Sequence, residues 1–143
     1  MLGIKVTHLN DGITLNQNHF CEYLLELYGM SDFQPVATHL IPNLHLKKDS
    51  PEEKLVLKAL GVNYCSAIGS LNCLSTATRP DLSHAVSTLS QYLEDPGSEH
   101  WRSFLHVLCY LWGTPDFGLS YSHGHNGIIG YSDADWDNFQ DTQ

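Results

Sequence analysis

The chain has 143 residues, 42% of them hydrophobic and only 16% charged, enough apolar content for one domain with a core and too little charge for a disordered acidic tail. Its net charge of -9, with seven Lys and Arg in all, weighs against a binder of polyanions, which gains affinity by neutralising phosphates, unless a local patch or a neighbouring segment supplies the basic surface. The sequence contains no run of eighteen apolar residues and no signal-peptide pattern at the N-terminus, so a soluble intracellular protein is expected, without a membrane partner.

Leu2 to His8 alternates and is rich in branched residues, and Ile13 to Gln17 does the same after Asn10-Asp11-Gly12. Asp-Gly between two such runs predicts a β-hairpin. From Asn18 the period lengthens. Phe20, Tyr23, Leu24, Leu27 and Tyr28 line one helical face, with Asn18 as a candidate cap and Gly29 as a stop. Ser31 to Ser50 carries prolines and little periodicity, as expected of a long loop or extended connector. Pro51-Glu52-Glu53 opens a short helical start with Leu55, Val56 and Leu60 apolar.

The stretch from Asn63 to Leu93 predicts two amphipathic helices joined by Thr78-Arg79-Pro80-Asp81. Ala67, Ile68, Leu71, Leu74 and Ser75 form the first stripe, with Gly69 and Ser70 small enough for close helix approach. Leu82, Ala85, Val86, Leu89 and Leu93 form the second. Pro80 suits a first helical turn, and Thr78 with Asp81 resembles a capping box. After Asp95-Pro96-Gly97, Ser98 is placed to cap a third helix with Trp101, Phe104, Leu105, Leu108 and Leu111 or Trp112 on its stripe. Phe117 to Ser122 and Ile128 to Asp135 are then expected to form two strands around a turn at 123–127. The expected core of the helical middle is Leu71, Leu74, Val86, Leu89, Leu105 and Leu108. The fold class is α+β: an N-terminal β-hairpin, a helical middle of three main helices and a C-terminal β-hairpin.

The four cysteines, Cys21, Cys65, Cys73 and Cys109, include no Cys-x-x-Cys pair and lie in apolar helical surroundings, which predicts buried free thiols. Among polar residues, Asp133 and Asp135 share one face of a strand, a pattern suited to a divalent cation, though an exposed acidic strand end fits the local residues as well. Arg79, beside a helix start, can fork a phosphate or a carboxylate, or pair within the chain with Asp81. No Gly-x-Ser-x-Gly string and no phosphate-binding Gly-x-x-x-x-Gly-Lys loop is present.

The string Tyr64-x-Ser66-Ala67-Ile68-Gly69-Ser70-Leu71, followed by Thr78-Arg79-Pro80-Asp81, resembles the Pol polyprotein of copia-type LTR retrotransposons. The order continues through Pro96, His100, Cys109-Tyr110-Leu111, Gly113-Thr114 and Gly118-Leu119, and on into Gly130-Tyr131-Ser132-Asp133-Ala134-Asp135-Trp136. The resemblance implies four parts: the end of a reverse-transcriptase palm at 1–17, a helix and long connector at 18–62, a helical thumb or connection at 63–116, and an incomplete RNase H-like start at 117–143. It makes Asp133 the first RNase H metal-binding acid, with Asp135 a weaker metal-ligand candidate, and Arg79 a candidate nucleic-acid contact. Its parent family performs RNA-directed DNA synthesis and degrades the RNA of the hybrid with Mg²⁺, on primer–template and RNA–DNA hybrid.

The polymerase Tyr-x-Asp-Asp turn and the later RNase H acids do not occur in these 143 residues. A non-catalytic fragment linking the two active sites is therefore expected, in the cytoplasm (within a virus-like particle) or the nucleus, with weak nucleic-acid binding and no tightly held Mg²⁺. Cys65, Cys109 and Gln143 stand where the family has arginine, and Asp137 where it has a small residue, which makes this copy more acidic and removes candidate backbone contacts. The other reading is a helical protein-interaction module retained from a transposon, which an exposed apolar patch on one helix face would favour.

Overall fold

The computed structural model describes residues 3–42, 46–47, 55 and 57–122. Strand β1 (Lys5–Leu9) pairs antiparallel with β2 (Gly12–Asn16) from Lys5↔Asn16 to Leu9↔Gly12, so the hairpin turns on Asn10 and Asp11. Gly12 is the first strand residue and not part of the turn, and its φ is not among the positive ones. What requires glycine there is a third strand: a Cβ on Gly12 would collide with the carbonyl oxygen of Tyr121. Strand β3 (Leu119–Ser122) lies antiparallel to β2, from Gly12↔Ser122 to Leu15↔Leu119, giving the order β1-β2-β3. Gly118 is constrained at the other end, where a Cβ would strike the Leu15 carbonyl oxygen. The sequence pattern placed Phe117 to Ser122 in a separate C-terminal unit paired with Ile128 to Asp135. Those partner residues lie outside the described residues; among the described ones, β3 adds to the N-terminal sheet beside β2. Strand pairing over a hundred residues of chain leaves no local periodic signal.

Helix α1 (Asn18–Leu27) follows β2 directly, with Gln17 as its N-cap residue. Asn18, expected to cap, is the first helical residue and donates its amide to Asp116 Oδ1 at 3.3 Å. The helix buries Cys21, Leu24 and Leu25, while Tyr23 and Leu27, expected on the inner face, are 54% and 55% exposed. The inner face is set by what α1 meets: Tyr28 packs edge-on against Phe104 (4.9 Å between centroids) and Trp101 (5.7 Å) of the last helix. Gly29, at φ 64°, ends α1 in the left-handed region, where glycine carries no Cβ penalty.

Helix α2 (Tyr64–Ala77) is capped by Asn63, whose Oδ1 accepts the Ser66 N–H at 2.9 Å. Its expected stripe is buried from Ala67 through Ser75. Gly69 faces outward with nothing within 4 Å of an added Cβ, so it serves no close helix contact. A 3₁₀ turn over Pro80–Leu82 leads into α3 (Ser83–Ser90), which buries Ala85, Val86 and Leu89 but leaves Leu93 beyond its end 39% exposed. Helix α4 (Ser98–Gly113) begins after Gly97, whose N–H donates to His100 Nδ1 at 2.9 Å, so a histidine closes the end where Ser98 was expected to cap.

The core forms where these helices meet. Leu71, Leu74, Leu89, Phe104, Leu108 and Leu111 are fully buried, whereas Leu105 only packs against the edge and Trp112 is exposed. Ahead of α2, Leu57 is the buried residue, while Leu55 and Leu60 are exposed and Val56 lies outside the described residues.

Candidate functional site: a buried arginine junction

Arg79 is 1% exposed and is the largest fully buried side chain of the described residues. Taking a guanidinium out of water costs several kcal/mol unless charge and hydrogen bonds replace the lost hydration. Here they do. Pro80 starts the 3₁₀ turn and brings Asp81 back beside Arg79, giving a two-pronged contact: Nε donates to Asp81 Oδ1 at 3.0 Å and Nη2 to Oδ2 at 2.8 Å. On the other side Nη1 donates to the Thr114 carbonyl at 3.0 Å and Nη2 to Thr114 Oγ1 at 2.8 Å. That carbonyl lies at the C-terminal, electronegative end of α4, which favours a cation. The guanidinium carbon also sits 5.5 Å from the Tyr110 ring centroid and 5.4 Å from that of Phe117, within cation–π range of both.

The carboxylate is held as firmly as the cation. Tyr110 donates its hydroxyl to Asp81 Oδ2 at 3.0 Å. Burial pushes the Asp81 carboxyl upward, but the Arg79 hydrogen bonds and charge, with the Tyr110 hydroxyl, outweigh it and hold the group below its ordinary value of 3.8. Burial raises the Tyr110 phenol, and the adjacent carboxylate raises it further. Tyr110 and Thr114 stand four residues apart, on one face of α4, and Thr114 Oγ1 donates back to the Tyr110 carbonyl at 2.8 Å. Thr78 does not act as a cap. Its hydroxyl donates to Gln17 Oε1 at 2.9 Å, and Gln17 is 2% exposed at the end of β2. The Thr-Arg-Pro-Asp string thus ties the end of α2 to the end of α4 through Arg79 and to the sheet through Thr78.

Of the two roles the sequence offered Arg79, the structure shows the pair with Asp81. A phosphate would have to displace both Asp81 and Thr114 to reach a side chain with almost no exposed surface. The pair with Asp81 was visible in the sequence. Tyr110, Thr114 and Phe117 were not, although Tyr110 and Thr114 both belong to the ordered motif series, and their four-residue spacing was the available signal. Asp133, Asp135 and Asp137 lie outside the described residues. Among the described residues no group of three or more His, Cys, Asp or Glu is arranged to hold a metal ion. A groove of about 660 Å³ at the start of α2 is lined by Leu57, Lys58, Tyr64, Cys65, Leu93 and Glu94, among others.

The thiols divide two and two. Cys21 and Cys109 are buried, and burial raises both thiols above their ordinary value, but Cys65 is exposed and Cys73 partly so, contrary to the expectation of four buried cysteines. Iodoacetamide at pH 8 followed by peptide mass mapping is expected to modify Cys65 first and to leave Cys21 and Cys109 unmodified until denaturant is added. Early labelling of Cys109 would contradict the packing of α4.

No family model matches the chain, and no solved structure does. Among curated proteins, it is 37% identical over 141 residues to the retrovirus-related Pol polyprotein from transposon TNT 1-94 of Nicotiana tabacum, covering 94% of this chain and 10% of that protein. It is 37% identical over 140 residues to the Pol polyprotein from transposon RE2 of Arabidopsis thaliana, covering 94% of this chain and 9% of the relative. It is also 46% identical over 76 residues to the secreted RxLR effector protein 161 of Plasmopara viticola, covering 52% of this chain and 54% of that protein. The chain therefore spans about a tenth of the length of the Pol polyproteins it matches. Among the described residues no helix is long and apolar enough to cross a membrane. The motifs that meet in the arginine junction, Thr-Arg-Pro-Asp from one side and Gly-Thr from the other, belong to a chain that is a segment of copia-type retrotransposon Pol polyprotein.

Proposed function

We propose that this segment is the structural link between the reverse-transcriptase and RNase H portions of a Pol polyprotein, positioning primer–template between the two sites and carrying no complete active site in its 143 residues. The observation that carries this reading is the likeness to Pol polyproteins over 94% of the chain, in motif order. The arginine junction supports it physically. A buried, fully engaged cation makes a stiff joint between the helical middle and the strand leading onward, which suits a spacer better than a catalytic or phosphate-binding group. In this reading Asp133 is the first metal-binding acid of the RNase H portion, with Asp135 beside it. Mg²⁺ is held tightly only when further acids join them. The net charge of -9 leaves this segment with weak affinity of its own for RNA–DNA hybrid.

The test is a transplant. Replacing the matching segment of an active copia-type Pol polyprotein by this chain should preserve RNA-directed DNA synthesis, while Asp133→Asn in the chimera should abolish hybrid degradation and spare synthesis. A well-expressed, folded chimera with neither activity would sink the proposal.

A second reading, a transposon-derived protein-interaction module, has two observations in its favour. Tyr23 and Leu27 lie one turn apart on α1 and are both more than half exposed. The likeness to a protein named as a secreted effector also covers half of this chain, outside any protein named Pol.

A further inference from the structure

We propose that His39, seated beside His84 and Tyr110, forms a pH-sensitive latch that holds the connector segment 36–40 onto α3 and α4 at neutral pH and releases it as its own imidazole protonates. Val36 and Leu40 of the connector pack against the edge of the core, and the polar contacts between them are long. Val36 donates its N–H to the Cys109 carbonyl at 3.4 Å, a long bond, and Thr38 Oγ1 lies 3.5 Å from His106 Nε2. Between them His39 is half-buried, with its ring 6.2 Å from that of His84 on α3 and 6.0 Å from that of Tyr110 on α4, edge-on to both. The connector thus places His39 against the rings of His84 and Tyr110, while the adjacent Thr38 reaches His106.

While neutral, these rings pack as aromatic bodies. Once protonated, His39 becomes a charge in a half-buried site, 6.2 Å from the His84 ring, and burial makes that charge costly. Charge from the described surroundings offsets this only in part. Asp81 is the acidic group that faces His39, and its carboxylate is already committed to Arg79 and Tyr110. Burial, His84 and His106 disfavour protonated His39, and Asp81 opposes them in part, leaving the imidazole below its ordinary value of 6.5. The folded, latched state thus binds fewer protons than the released one. The latch is complete above pH 6.5 and weakens as pH falls through that value toward the folded pKa.

Hydrogen exchange of the full chain, corrected for intrinsic rates, tests this directly. Between pH 7.5 and 5.5 the protection of the Val36 amide should fall severalfold, while amides in the middle of α4 near Leu108 hold theirs. His39→Phe keeps an aromatic ring without the charge and should abolish the pH dependence. An equal fall at Leu108, an unchanged Val36, or an undiminished pH dependence in His39→Phe would each overturn the proposal. Should the variant fail to fold, NMR titration of His39 in the unmodified chain decides: a midpoint below 6.5 supports the latch, and one at or above 6.5 removes its basis.

Discussion

Asp81→Ala is expected to destabilise the chain by about 3–5 kcal/mol, the range for stranding a buried charge by removing its partner. The charge left behind would be Arg79, 1% exposed, with only Thr114 and two aromatic rings to replace the lost carboxylate. Removing the other partner should cost less. Arg79→Met fills much of the same volume with an apolar side chain, and the Asp81 it leaves has a side chain 32% exposed that water can reach. A cost of about 1–2 kcal/mol is expected, mostly from the lost hydrogen bonds to Thr114. The double variant should recover much of the Asp81→Ala loss, since no unpaired buried charge remains, and a double-mutant cycle by urea denaturation should return a coupling of about 2 kcal/mol or more. Strictly additive losses would mean that the two side chains do not form one unit.

The same carboxylate sets an acid limit. Because the folded Asp81 pKa lies below the unfolded value of 3.8, its contribution is complete above that value and drains away as pH falls through the folded pKa. Stability measured between pH 5 and pH 2 should therefore decline less steeply in Asp81→Asn than in the parent chain. An unchanged slope would show that other carboxylates govern acid unfolding.

Phe104→Ala is expected to cost about 3–5 kcal/mol, the range for emptying a buried aromatic site. Phe104 is fully buried on α4, stacks 4.8 Å from Trp101 and receives the edge of Tyr28 from α1 at 4.9 Å. Its removal leaves a hole at the contact between the first and last helices and takes one aromatic partner from each of Tyr28 and Trp101. Trp112→Ala, on the same helix but 46% exposed, should cost far less, within about 1 kcal/mol. Chemical denaturation of the two variants side by side checks the order. A larger loss at Trp112 would turn α4 over and break the packing described here.

Much of this was legible in the residues because it is local. The α2 stripe from Ala67 to Ser75, the α3 stripe from Leu82 to Leu89, the left-handed stop at Gly29 and the Arg79–Asp81 pair all follow from spacing or from side chains a few positions apart. So does membership of the Pol family, since an ordered series of short motifs is itself a property of sequence. What failed were faces and partners. Tyr23 and Leu27 fit the periodicity of α1 as well as Cys21 and Leu25 do, and only the position of α4 selects between them. Cys65 sits among apolar neighbours in sequence yet on the outer face of its helix, and Leu57 takes the buried place that Leu55 and Leu60 fit equally well.

The sequence by itself determined the stripes of the helical middle, the stop at Gly29 and the kinship, because each depends on residues within a turn or two of one another. The tertiary structure alone decided that β3 joins the N-terminal hairpin, that Gly12 and Gly118 are glycines for the sake of that pairing, and that Arg79 closes on Thr114 across 35 residues. Each of these contacts requires two distant segments to arrive at one place. Periodicity records which way a side chain faces along its own element, and it holds no record of what arrives to meet it.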